Sequence, residues 1–235
     1  MRYWILLFIV FITACSNIQE VQQTKEEVDN IDKLTTRDGV KISYNYFDSD
    51  TNKGVILLHI LSKNKETWND FATKLNQQGY KIIAIDLRGH GESDLDFKDF
   101  NSNDYINMAL DVEEANNFLR EKGANKISII GASIGANLAL NYATQNDDIQ
   151  TIILLSPGED YRGVTTLDKI SRFTKTILII SSKEDKYAFE SSKKLNDLSH
   201  NSEFIKLGGD KHGTEMLDEE LENKILDWLN TMFDS

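Results

Sequence analysis

From residue 34 onward the apolar residues fall into short, largely unbroken runs at 54–59, 81–85, 126–130, 150–155 and 176–180, and 203–207 reads as a last strand. A strand with one wet face alternates apolar and polar residues, so an unbroken run predicts a strand covered on both faces. Between the runs the period changes. Trp68, Phe71, Ala72 and Leu75 recur at helical spacing, as do Met108, Val112, Ala115 and Leu119. The stretches 136–143 and 186–198 also read as helices, and Leu217, Leu221, Ile225, Trp228 and Met232 mark the apolar stripe of a last one. Gly79 and Gly123 stand where the first two helices should end. Ahead of all this, Asp38-Gly39 between 34–36 and 40–47 predicts a hairpin. Pro157, the single proline, closes the run at 150–155, and 159–174 reads as a short connection with one helical turn. A hairpin followed by repeated strand–helix units predicts an α/β protein: a mostly parallel open sheet with helices on both faces. Such sheets carry their functional loops beyond the carboxyl ends of the strands.

With 235 residues, 40% hydrophobic and 27% charged, the chain can bury one sizeable core in one domain. The net charge of −12 argues against nucleic acid as a partner and reads as a soluble, self-repelling surface. The amino terminus stands apart from this domain. Arg2 precedes an apolar run at 3–12, shorter than the roughly 20 residues of a membrane span and suited to the core of a signal peptide. It ends in Ile12-Thr13-Ala14-Cys15, which resembles the lipobox of bacterial lipoproteins. That resemblance implies cleavage after residue 14 and a lipidated Cys15 as the mature terminus; an ordinary secretory signal with an incidental cysteine is the alternative. Cys15 is the only cysteine, so neither an intramolecular disulfide nor a cysteine metal cluster can form. The following residues are polar and charge-rich, like a solvated tether. The expected organisation is a leader over 1–14, a tether over 15–33 and a folded domain over 34–235, anchored in a bacterial envelope with the domain outside the cytoplasm. Ser16 is not acidic, which points to the outer membrane where the host has one.

Candidate chemistry centres on Gly131-Ala132-Ser133-Ile134-Gly135. A serine between two glycines, after a strand and before a helix, has the context of a nucleophile elbow: the turn is too tight for large neighbours and lifts the hydroxyl out of the sheet. The helix terminus beyond it favours negative charge. A nucleophilic serine needs a base, and the base needs an orienting acid. Two histidines follow Ser133. His200 closes a predicted helix, whereas His212 lies in the glycine-rich loop after the last strand, where a base is needed. Asp185 and Glu184 follow the 176–180 strand. Asp185 is the favoured acid, with Glu184 and a merely solvated turn as alternatives. Asp210 is near His212 in sequence, but its loop gives no reason for it to face the imidazole. The glycine-rich stretch from Asp86 to Ser93 lacks the lysine pattern of a phosphate loop.

Taken in order, Leu57-Leu58-His59, Asp86-Leu87-Arg88-Gly89-His90-Gly91-Glu92-Ser93, the Ser133 elbow, Glu184-Asp185 and Lys211-His212-Gly213 resemble the α/β-hydrolase superfamily of serine hydrolases. The chain looks most like its small bacterial carboxylesterase-like and dienelactone-hydrolase-like members, and the resemblance runs from about residue 34 to the end. It implies Ser133 as nucleophile, Asp185 as acid and His212 as base, with an oxyanion hole formed by the N–H groups of Ile134 and Leu61. It also implies an architectural Asp86–Ser93 loop containing His90, a His59 that shapes the oxyanion loop, and chemistry that needs no cofactor or metal. The short connection at 156–175 leaves room for only a minimal lid. This suggests an open site and small or exposed acyl esters. The same triad also serves thioesters, lactones and peptides, and a non-catalytic envelope-binding role is the alternative from another class. One departure stands out: Ile60 occupies the position after His59 where the superfamily usually has glycine. Either the loop takes ordinary backbone angles and still presents Leu61, or the hole is partly formed and activity is modest.

Overall fold

The computed structural model describes residues 32–234; the leader, Cys15 and the tether up to residue 31 lie outside the described residues. The hairpin at the start pairs β1 (Lys33–Thr35) antiparallel with β2 (Lys41–Phe47). Gly39 in its turn takes φ 84°, a left-handed conformation that glycine adopts without steric cost. The apolar runs become β3 (Lys53–Leu58), β4 (Lys81–Ile85), β5 (Lys126–Ala132), β6 (Ile149–Leu155), β9 (Ile177–Ser182) and β10 (Ser202–Leu207). They join the hairpin in one eight-stranded sheet of order β1-β2-β4-β3-β5-β6-β9-β10. From β4 to β10 every pairing is parallel, and only β1 and β2 run against their neighbours.

The unbroken apolar runs follow from the pleat. Successive side chains point to opposite faces, so a strand covered on both sides needs both sets apolar. Ile56, Leu58, Ile129 and Leu154 enter one core, which contains Val112 and Leu119 of α3 (Ala109–Glu121), Leu138 of α4 (Ile134–Ala143) and Leu195 of α5 (Lys186–Leu198). Val55, Leu57, Ile130 and Ile153 enter the other, with Phe71 and Leu75 of α1 (Asn69–Gln77) and Leu221, Ile225 and Leu229 of α6 (Glu219–Asp234). Gly79 and Gly123 end α1 and α3 with φ 86° and 88°.

Three local features differ from the sequence reading. A short helix, α2 (Ser102–Asn107), starts at a capping box made by Asn101 and Asp104. The last helix begins after Leu217, because Gly213–Met216 forms a 3₁₀ turn and Asp218 accepts from the Leu221 N–H at 2.9 Å. The connection after β6 holds a small hairpin, β7 (Asp160–Tyr161) and β8 (Val164–Thr165), ahead of the expected helical turn at Ile170–Arg172.

Candidate active site

The elbow is built by what glycine lacks. Ser133 sits between β5 and α4 at φ 55° and ψ −119°, a strained conformation that costs about 1–3 kcal/mol and persists where surroundings impose it. Its N–H donates to the Leu155 carbonyl at 2.8 Å, tying the turn to β6. A Cβ on Gly131 would collide with the Gly135 carbonyl, and one on Gly135 would lie 2.5 Å from the Leu58 carbonyl. Both positions therefore require glycine. Ile134 opens α4, where an N–H has no preceding turn to bond.

Facing the elbow is the loop after β3. Ile60 is not among the non-glycine residues with positive φ; that conformation falls on Ser62, at φ 64°. The Lys63 N–H closes the turn onto the Ile60 carbonyl at 3.2 Å, so Leu61 lies in a turn whose left-handed residue is Ser62. The missing glycine therefore imposes no backbone strain at position 60. Its side chain has a use instead: Ile60 is buried, and its Cγ2 fills the space beside Gly213, where a Cβ would meet it at 2.5 Å. His59 is fully buried. Its Nε2 accepts from the Leu87 N–H at 3.0 Å, which leaves the proton on Nδ1 to reach the Ile60 carbonyl at 2.7 Å. Burial lowers its pKa to about 4, so it is a neutral structural clamp at pH 7.

A second clamp was not foreseen from the sequence. Lys65, just beyond the Ile60–Lys63 turn, is 3% exposed. Its ammonium reaches Asp86 at 2.9 Å and Glu92 at 2.7 Å, and its N–H donates to Asp86 at 2.7 Å. Burial opposes the charge, but the hydrogen bonds to Glu92 and Asp86 outweigh it and raise the pKa. The Asp86–Ser93 stretch is thus the counter-wall of the loop after β3. His90 in it is buried, with Nδ1 3.0 Å from the Arg88 carbonyl and its ring stacked on Phe97.

His212 and Asp185 meet across the carboxyl ends of β10 and β9. Nδ1 of His212 donates to Oδ2 of Asp185 at 2.6 Å. Glu184 and Asp210 are exposed, and His200 is exposed beyond the end of α5. The His212 loop is drawn over the elbow by its neighbour: the Gly213 N–H donates to Ser156 Oγ at 3.0 Å, and a Cβ on Gly213 would lie 3.3 Å from that of Ala132. Ser133 and His212 themselves share no hydrogen bond among those of the described residues. Catalytic contacts of this kind often tighten only when substrate binds.

The hairpin after β6 is what the sequence reading missed. Arg162 and Gly163 both take positive φ, 59° and 92°, as a two-residue type I′ turn demands. Asn137 of α4, fully buried, donates to the Val164 carbonyl at 2.7 Å and accepts from the Gly158 N–H at 3.0 Å. Tyr187 both donates to and accepts from the backbone of Asp160, at 2.9 and 3.0 Å. So fixed, the hairpin brings Tyr161 beside Ser133. Burial pushes the phenol's pKa up, and hydrogen bonding from the Ser133 hydroxyl works the other way. The Tyr161 ring stands edge-on to His212, with centroids 6.3 Å apart. Ser133 itself is 6% exposed, and the hairpin adds a side wall that the short connection alone did not foretell. The only sequence signal was Gly163 two residues after a tyrosine, too weak to mark a hairpin.

Fold, elbow and loop order define an α/β-hydrolase. The chain belongs to the Hydrolase_4 family, described as serine aminopeptidase, S33, whose model matches residues 49–218. Among curated proteins it is similar to an uncharacterised protein of Mycobacterium tuberculosis, 32% identical over 44% of this chain and 29% of that one. It is likewise similar to the AB hydrolase superfamily protein YisY of Bacillus subtilis, 31% identical over 43% and 37%. The chain spans about a third of the length of the first curated relatives it matches. Among solved structures, the esterase Pf2001 of Pyrococcus furiosus superposes with a TM-score of 0.72 at 19% identity, covering 86% of this chain and 90% of that one. Est1E of Butyrivibrio proteoclasticus, solved with ferulic acid bound, gives 0.75 at 18% identity over 87% and 100%. These structures share the fold.

Proposed function

We propose that the chain is a serine hydrolase that cleaves carboxylic esters of small acyl groups through an acyl-enzyme. The observation that carries this is the 2.6 Å hydrogen bond from His212 Nδ1 to Asp185, in a loop held against the Ser133 elbow. With its proton on Nδ1, His212 offers the Nε2 lone pair as a base. It takes the Ser133 proton as Ser133 attacks the ester carbonyl, and the tetrahedral oxyanion rests on the N–H groups of Ile134 and Leu61. His212 then protonates the leaving alcohol, and water repeats the sequence to release the acid. Asp185 holds the tautomer and stabilises the charged imidazole.

The test is covalent labelling of the protein lacking residues 1–15 by a fluorophosphonate, beside Ser133→Ala. Labelling of the wild type that disappears in the variant is expected; a folded wild type that stays unlabelled overturns the reading. A panel of ester, thioester, lactone and aminoacyl-amide substrates then sorts the acyl derivatives, esters being expected to turn over fastest.

The proposal extends to location: a lipidated Cys15 tethers the domain to an envelope membrane, supported by the lipobox-like Ile12-Thr13-Ala14-Cys15. In the native host, Cys15→Ala is expected to move the protein out of the membrane fraction. An unchanged distribution, or an unmodified Cys15 in the mass spectrum of the wild type, counts against it.

A further inference from the structure

The order of the strands sets two walls around Ser133. The oxyanion loop follows β3 on one side of β5, and Tyr161 follows β6 on the other. Three contacts fix the Tyr161 wall. The phenol donates to the Ser156 carbonyl at 3.3 Å. The ring lies over Gly158, where a Cβ would meet it at 2.6 Å and Tyr187 at 2.9 Å. The type I′ turn and the Asn137 bonds hold the hairpin to the same helix that follows the nucleophile. A side chain so anchored does not swing aside at little cost.

We propose that Tyr161 determines acyl specificity, admitting esters unbranched at the carbon next to the carbonyl and excluding those branched there. The inference rests on Ser133 as the nucleophile. The phenol's hydroxyl sits on the Ser156 carbonyl and its ring stands edge-on to His212, with centroids 6.3 Å apart, so it crowds atoms one bond away from the carbonyl carbon that Ser133 attacks. One of those atoms is the alkoxy oxygen, which has two bonds and cannot branch. The other is the acyl α-carbon, which can. Each methyl added there points into one of the two walls. The oxyanion-side wall must keep Leu61 in place to bind the oxyanion, so the clash falls on Tyr161.

The experiment compares kcat/KM for 4-nitrophenyl acetate with that for 4-nitrophenyl 2,2-dimethylpropanoate. The intrinsic reactivity of the two esters cancels when the ratio in a variant is divided by that in the wild type. Tyr161→Ala is expected to narrow the acetate preference by about tenfold or more, the scale on which a pocket senses one or two methyl groups. Tyr161→Leu, which keeps an apolar side chain on the hairpin, should narrow it in the same direction, whereas Tyr161→Phe keeps the ring and should preserve it. An unchanged ratio in both the Ala and Leu variants, with fluorophosphonate labelling of Ser133 intact, overturns the inference and leaves the site assignment standing. Absence of labelling in the wild type overturns the site assignment and this inference with it.

Discussion

Asp185→Asn is expected to lower kcat by about 10³- to 10⁴-fold with little change in thermal stability. The carboxylate can only accept, so its 2.6 Å bond forces the His212 proton onto Nδ1 and leaves Nε2 free for the Ser133 proton. An asparagine can present its amide N–H to Nδ1 instead. The imidazole then carries its proton on Nε2, facing the nucleophile, and cannot act as a base. The negative charge that stabilises the imidazolium is lost as well. Stability should hold because the Asp185 side chain is 16% exposed and its amide replacement is nearly isosteric. Steady-state kinetics and the rate of fluorophosphonate labelling should fall together. Glu184→Gln is the control: Glu184 is exposed beside Asp185, and its removal should leave turnover essentially intact. If the aspartate variant keeps its rate while the glutamate variant loses it, the acid has been misassigned.

The second large effect is on stability. Lys65→Met should cost about 3 kcal/mol, because removing one partner strands the other charge in the interior. Asp86 is fully buried, and without the ammonium its carboxylate would keep the N–H groups of Lys65 and Glu92 alone. For a domain of this size that corresponds to a fall in Tm of about 6–12 °C by thermal unfolding. Adding Asp86→Leu to Lys65→Met should recover much of the loss, since the stranded charge goes with it. A single variant within about 1 kcal/mol of wild type would mean that water reaches the Asp86 carboxylate and that the pair is not a clamp.

Local pattern was enough for the frame. Unbroken apolar runs mark strands covered on both faces, because a two-period pleat places every residue of such a strand in one core or the other. Glycines at 79, 123, 131 and 135 mark places where a helix must stop or a backbone must approach closely, and these are properties of one residue and its neighbours. The elbow and the loops carrying Asp185 and His212 were therefore legible in order. Asp185 was favoured over Glu184 from the sequence, but which of the two faces the imidazole shows only in the folded turn, because adjacent residues there differ in direction.

What tertiary structure alone decided are contacts between segments distant in sequence. Lys65 reads as one more surface lysine until the chain returns 21 residues later and sets Asp86 against it. Ile60 reads as a departure with two alternative consequences until Gly213, on the last loop, leaves room for its methyl group. Tyr161 lies in a segment without periodicity. Its place beside Ser133 comes from Asn137 and Tyr187, which belong to helices on either side of it in the chain. The sequence by itself determined the parallel sheet and the order of the site loops, because burial and backbone sterics act residue by residue. The closeness of the walls around Ser133 was decided only when those loops converged, because a hydrogen bond or a packed methyl group has no local signature until its partner arrives.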